Sequence, residues 1–122
     1  MLTIRDEQWR VFADCAESAF INRVVAHLQR ALPEICAEMG EDAVRLSVAR
    51  GIQRAREYRI DSEYDVVRFI DFLYVLGFEF DTEHAWARDI LTDKLVPAEM
   101  RLDMIDDYLD EPEPDGAEVE DG

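Results

Sequence analysis

The 122 residues have the length of one domain, and with 48% hydrophobic residues the chain can bury a core of its own. The formal net charge of −16 disfavours generic binding to nucleic acid, because phosphate contacts require clustered cations. No run reaches the roughly 20 apolar residues that cross a bilayer. The N-terminus shows no basic start followed by an apolar core, so we expect no signal peptide and a cytoplasmic protein without membrane contact.

The charge is divided unevenly along the chain. Residues 1–102 hold 19 acidic and 13 basic side chains, a formal net charge of −6, whereas ten acids and no Lys or Arg follow Arg101. After Asp110 the composition EPEPDGAEVEDG is typical of disorder. We therefore predict a helical domain over 1–109 and a disordered acidic tail over 110–122. The tail either only keeps the protein soluble or attracts a basic partner.

The first third of the chain predicts a long helix followed by a short one. Thr3 and Asp6 have the spacing of a capping box at the start of the long helix. Pro33 ends this helix, and Gly40 suits the left-handed end of a second helix that begins at Glu34. The long helix carries one apolar stripe, formed by Trp9, Phe12, Ala16, Phe20, Val24, Leu28 and Ala31.

A third helix is predicted from Glu41 to about Tyr58. Its apolar stripe is formed by Val44, Val48, Ile52 and Ala55. Its other face is rich in arginine, and we define this arginine patch as Arg45, Arg50, Arg54, Arg56 and Arg59. Two interpretations stay open: a solvated face balanced by the chain's own acids, or a docking face that holds an acidic partner through bidentate guanidinium contacts.

The central helix is predicted over Tyr64–Leu76, which is apolar nearly all round and should be buried on most of its surface. Its polar residues Asp65, Arg68 and Asp71 are three apart and should form one narrow stripe. Asp61 or Ser62 is expected to cap its start, and Gly77 its end.

The remaining chain predicts a short link and two more helices. Phe78 and Phe80 alternate with acids in an extended link, and we expect these apolar residues to be exposed and to contact a partner together with the arginine patch. Asp81 or Thr82 should cap a helix that runs to about Leu91, with Trp86 and Ile90 as its inward anchors. Pro97 opens the last helix, whose predicted stripe is Met100, Met104 and Tyr108 with Leu102, Ile105 and Leu109 beside it.

Together these elements predict an all-α protein, a single compact bundle of five or six helices with a disordered acidic C-terminal tail. The first helix and Tyr64–Leu76 should pack together as the core. The side chains expected to be mostly buried are Trp9, Phe12, Phe20, Val24, Leu28, Val48, Ile52, Phe69, Ile70, Leu73 and Trp86.

The chain shows no pattern of catalytic, metal-binding or cofactor-binding residues. His27 and His84 each lack the partner four residues away that a helical metal site has, and Cys15 and Cys36 are interpreted as small buried thiols. Asp71 is interpreted as the partner of Arg68 or of an arginine in the third helix. We therefore expect no enzyme, no cofactor and no metal.

Three stretches of the chain carry a family resemblance: Phe12 to Pro33, ending in HLQRALP; Arg50 to Thr82, containing GIQRAREYRIDSEYDVVRFIDFLYVLGFEFDT; and Trp86 to Leu91. Together they resemble a family of small helical proteins encoded beside effector genes of bacterial type VI secretion systems. Arg59 stands where that family usually has a glycine, and the segment after Asp81 lacks the usual proline. The acidic tail lies outside the pattern.

The resemblance implies a cytoplasmic accessory protein that binds a secretion effector, or a spike-associated delivery protein, by protein–protein contact. An adaptor or chaperone would hold the effector until it is loaded. The alternative is an immunity protein that neutralises a toxin acting in the cytosol, where an acidic surface would mimic the phosphates bound by a basic nuclease. No catalytic residue follows from the resemblance.

Overall fold

The computed structural model describes the backbone of residues 6–110 and the side chains of residues 17–110. Over this range the chain forms seven helices and no strand, so the all-α prediction is confirmed. The helices are α1 (Asp6–Ala31), α2 (Pro33–Met39), α3 (Glu41–Glu57), α4 (Glu63–Leu76), α5 (Phe80–Glu83), α6 (Ala85–Leu91) and α7 (Ala98–Asp110). The capping box at Thr3, the side chains of Trp9, Phe12, Cys15 and Ala16, and the tail after Asp110 lie outside the described residues.

The helices begin and end at the residues whose chemistry favours it. Pro33 occupies the first turn of α2, and Gly40 and Gly77 follow α2 and α4 with φ of 86° and 115°. The Ser62 hydroxyl accepts a hydrogen bond of 3.1 Å from the Asp65 backbone N–H at the start of α4. Ser62, one of the two candidates, is therefore the cap of this helix.

The chain divides into two compact units, Met1–Gln53 and Arg54–Gly122. The prediction of one compact bundle is therefore not confirmed, and the packing of the first helix on the central one stays a prediction. The first unit contains α1, α2 and most of α3, and Cys36 in it is a free, buried thiol. Its buried apolar side chains are Phe20, Val24, Val25, Leu28, Cys36, Val44, Val48 and Ile52.

The second unit is built on a cluster of aromatic rings. Phe69 of α4 and Phe80 of α5 are fully buried, with ring centroids 5.9 Å apart. Tyr58 lies edge-on to Phe69 at 5.9 Å, and Phe72 lies edge-on to Phe80 at 6.4 Å. Such pairs contribute about 0.5–1.5 kcal/mol each beyond the area that they bury, so these rings hold the end of α3 against α4 and α5.

The link predicted around Phe80 is helical and buried. Phe80 begins the four-residue helix α5, and its side chain has no exposed surface, so the expectation of an exposed Phe80 is wrong. The helix expected from Asp81 or Thr82 to Leu91 is interrupted at His84, whose extended backbone (φ −113°, ψ 116°) separates α5 from α6. Burial of both Phe80 and Asp81 fixes α5 in the core, and the chain therefore bends before α6.

The central helix α4 is less enclosed than its composition predicts. Tyr64 is 72% exposed and Val75 67% exposed, whereas Asp65 of the expected polar stripe is buried. Arg68 of the same stripe is half-buried, because it pairs with carboxylates of α7. The polar stripe of α4 thus packs against α7, whereas Tyr64 and Val75, near the two ends of α4, are exposed to solvent.

Arg59, two residues after the end of α3, has a backbone conformation that favours glycine. Its φ is 62°, the only positive value among the non-glycine residues described. The Ile60 N–H donates to the Ala55 carbonyl and the Arg59 N–H to the Arg56 carbonyl, each at 2.9 Å. These two bonds form a Schellman motif with Arg59 at its left-handed position, where a Cβ is unfavourable.

Replacing Arg59 with glycine is expected to stabilise the protein by about 1 kcal/mol, because glycine adopts this φ without strain. Urea denaturation measures the change in the free energy of unfolding. Arg56→Gly is the matched control: it lies inside the helix and should destabilise by about 1 kcal/mol. A loss of stability in Arg59→Gly would contradict the prediction.

Candidate interaction surface

Helix α7 presents its predicted apolar stripe to solvent. Met100 is 56% exposed, Met104 41% and Tyr108 47%, whereas Leu102 and Ile105 have no exposed surface. The helix carries two apolar faces, and the aliphatic face packs against the unit. The predicted stripe therefore faces solvent, and Leu102 and Ile105, which were expected beside it, face the core. We call these three residues the α7 ridge.

Trp86 of α6 extends the α7 ridge. Its indole stacks on the Tyr108 ring, with centroids 3.9 Å apart and planes inclined by 10°. The His84 ring lies 6.0 Å from the indole on the same stretch of chain. Trp86 is half-buried, with the smaller part of its surface exposed, so the expectation that it is mostly buried is confirmed. The result is an exposed apolar strip of thioether and aromatic groups.

The α7 ridge lies beside a row of carboxylates. Helix α7 has five acidic residues, Glu99, Asp103, Asp106, Asp107 and Asp110, and one basic residue, Arg101, which is buried. Arg68 of α4 donates to Asp103 at 2.9 Å and to Asp106 at 2.7 Å, and these ion pairs fasten α7 to α4. Arg68 thus pairs with two of the five carboxylates of α7, and the surface beside the ridge keeps an excess of negative charge.

The arginine patch does not form one continuous basic face. Arg45 and Arg56 are three turns apart and share one side of α3, whereas Arg50 and Arg54, four residues apart, share another side. Arg45 pairs with Glu41 at 3.2 Å on its own helix. Arg59 lies past the helix end. Arg45 and Arg50 belong to the first compact unit, and the other three arginines belong to the second.

Arg54 is used inside the second unit. Its Nη1 donates to the Asp81 carboxylate at 3.1 Å and to the Phe78 carbonyl, and its Nη2 lies 3.7 Å from Glu79. The other Asp81 oxygen accepts from the Tyr58 hydroxyl at 2.6 Å. Burial, reinforced by the bond to Asp81, raises the pKa of the Tyr58 hydroxyl well above its usual range. These contacts stabilise the second unit, and because they occupy the Arg54 guanidinium, Arg54 is not available for the predicted contact with a partner.

Of the two phenylalanines predicted to contact a partner, only Phe78 is exposed. Its ring lies edge-on to Tyr74, with centroids 5.0 Å apart. The α7 ridge is an exposed apolar group beside several carboxylates, and none of its residues was among the predicted contact residues. The signal was present: α7 has a Leu/Ile face and a separate Met/Tyr face, and aliphatic side chains are the more often buried.

No group of three or more His, Cys, Asp or Glu side chains is placed to hold a metal ion within the described part of the chain. None of the helices over residues 6–110 is long and apolar enough to cross a membrane. His27 and Asp71 are half-buried and each interacts with neighbouring groups.

Comparisons with protein-family models, with curated proteins and with solved structures gave no match to this chain.

Proposed function

We propose that this chain is a non-enzymatic accessory protein that binds a basic partner through the α7 ridge and Trp86. The observation that carries the proposal is the juxtaposition of exposed Met and aromatic side chains with the carboxylates of α7. Exposed apolar patches with a polar rim are typical of protein-binding surfaces, and methionine adapts its shape to different partners.

The shape and charge of this surface fit an amphipathic helix with basic residues. Met100, Met104 and Tyr108 recur every four residues, the spacing at which a helix presents one continuous row. A partner helix would place its apolar face on this row and its Lys or Arg side chains against Glu99, Asp103 and Asp107, which are exposed. A neutral or acidic partner helix would lack the ion pairs with these carboxylates and should bind more weakly.

The resemblance to accessory proteins of type VI secretion supports a more specific form of the proposal. The partner is then a secretion effector or a spike-associated delivery protein, bound in the cytoplasm by an adaptor or chaperone. A single helical body and a disordered acidic tail after Asp110 belong to this proposal. The tail would add to the attraction for a basic partner.

An immunity protein is the second candidate, and the charge of the chain favours it. The formal net charge of −16 and the five acids of α7 would let the protein cover the basic active site of a nuclease-like toxin. Both roles use the same kind of contact. The two roles differ in whether the chain protects cells that contain the effector from its toxicity.

Placing a carboxylate on the α7 ridge should weaken binding to the secretion effector or delivery protein proposed as the partner. We expect Met104→Glu to raise the Kd at least about tenfold, since a charge would be buried without a partner. Leu46→Glu is the matched control, because Leu46 is a helical residue of similar exposure at 52% in the first unit; its Kd should stay within about twofold. Isothermal titration calorimetry measures both. Equal Kd values for the two variants would refute the ridge as the binding surface.

Co-expression separates the adaptor from the immunity protein. If the effector is soluble and secreted only with this chain, and equally toxic to cells with or without it, the chain is an adaptor. If the chain rescues cells while secretion is unchanged, it is an immunity protein. Absence of binding to the effector and to its delivery protein would refute both roles.

A further inference from the structure

The second unit contains a pocket of about 410 Å³ between the end of α3, the end of α6 and the start of α7. A pocket of this size can hold a small organic molecule. Part of its wall is apolar and is formed by Leu91, Val96 and Pro97. No residue of the α7 ridge lines it, so an inference about this pocket is independent of the proposed function.

The charged residues that line the pocket are mostly cations. They are Arg59, Lys94 and Arg101, against one acid, Glu57. This excess of positive charge occurs in a chain whose formal net charge is −16, and Lys94 is the only lysine in the sequence. Arg59 and Lys94 are exposed, so both can reach a molecule at the mouth of the pocket.

Arg101 places a buried positive charge in the pocket wall. The residue is 5% exposed, and its guanidinium donates to three backbone carbonyls: from Nε to Val96 at 2.9 Å, and from Nη1 to Tyr58 at 2.9 Å and Leu91 at 2.6 Å. Among residues 17–110 no carboxylate lies within ion-pair distance of it. Burial lowers the pKa of this guanidinium, while the charge of Asp93 acts in the opposite direction. Asp93 does not line the pocket, and its side chain accepts from the Leu95 N–H at 3.0 Å.

We propose that this pocket binds a small organic carboxylate. The carboxylate would lie between Lys94 and Arg59 and would be attracted by the buried charge of Arg101, whose carbonyl partners are neutral. The carbon body of the ligand would contact Leu91, Val96 and Pro97. A compact inorganic anion would gain the charge contacts but not the apolar ones.

The test uses phenylacetate and phenylacetamide, which have the same shape and differ in charge. In ¹⁵N-HSQC titrations of the full chain at low salt, phenylacetate should shift the amide resonances of residues 91–101 with a Kd on the order of 1 mM. Phenylacetamide and inorganic phosphate should each bind at least about tenfold more weakly, since each lacks one of the two contributions. Equal affinity for phenylacetate and phenylacetamide would refute the role of charge in ligand binding. Tighter binding of phosphate than of phenylacetate would refute an organic carboxylate as the ligand.

Variants at the pocket mouth separate binding from folding. Lys94→Gln and Arg59→Gly should each weaken phenylacetate binding by about threefold to tenfold, because each removes one cation. Arg59→Gly is informative because it is expected to make the protein more stable, so weaker binding cannot follow from unfolding. Arg50→Gln is the control: Arg50 is exposed on α3 and does not line the pocket. If Arg50→Gln weakens binding as much as Lys94→Gln, or neither pocket variant weakens it, the pocket is not the site.

Discussion

Replacing Arg101 with methionine is expected to lower the free energy of unfolding by about 3–5 kcal/mol, because three carbonyl groups lose their donor. These carbonyls belong to Tyr58 just past α3, to Leu91 at the end of α6 and to Val96 before α7. Helix ends leave carbonyls without partners, and here one guanidinium supplies the missing donors for three segments. We call this arrangement the Arg101 clamp. Methionine keeps much of the volume, so the loss reports the hydrogen bonds.

Two further variants make this expectation specific. Arg101→Lys keeps the charge but cannot donate in three directions from a planar group, and it should recover less than half of the loss. Arg88→Met removes an exposed arginine of α6 and should change stability by less than about 0.5 kcal/mol. Urea denaturation monitored by circular dichroism measures all three variants. A change below about 1 kcal/mol in Arg101→Met would show that water replaces the guanidinium without penalty.

The second large effect is expected at Asp81, the buried carboxylate of α5. Asp81→Ala should destabilise the protein by about 2–4 kcal/mol, because it leaves the Tyr58 hydroxyl without its acceptor and removes the buried carboxylate that pairs with Arg54. The expected value is below that for a fully buried ion pair, since the Arg54 side chain is 29% exposed and is partly solvated. Thermal and urea denaturation measure the change.

A double-mutant cycle isolates the contact between Asp81 and Tyr58. Tyr58→Phe removes the hydroxyl and keeps the ring against Phe69, and combined with Asp81→Asn it should show a coupling above about 0.5 kcal/mol. Glu79→Gln is the control, because Glu79 is 60% exposed and 3.7 Å from Arg54, and such surface pairs contribute little. Additive effects of the two substitutions would mean that the 2.6 Å contact is not energetically significant.

The helices were predictable from local chemistry. Pro33, Gly40 and Gly77 act on their own backbone, and Ser62 acts within one turn, so these boundaries follow from the sequence without knowledge of the fold. The apolar stripe of α3 is likewise a local pattern, and its residues are buried as predicted.

The faces of the helices were less predictable, because they depend on contacts between distant residues. The polar stripe of α4 packs inward because Arg68 meets acids 35 and 38 positions away. In α7 two apolar faces competed, and periodicity alone does not rank them. Arg101 lies on the packed side of α7 as a cation among apolar residues. The sequence pattern does not predict the three backbone carbonyls to which it donates.

The Arg101 clamp also bears on the order in which the second unit folds. Its bond to the Tyr58 carbonyl joins residues 43 positions apart, so forming this bond closes a loop that contains α4, α5 and α6, at a cost in chain entropy. Interactions that form after the rate-limiting barrier slow unfolding and leave the folding rate nearly unchanged. We expect the clamp to form late, because its loop is long: its loss should then appear mainly as faster unfolding, and a molecule bound in the pocket beside it should lengthen the lifetime of the folded state.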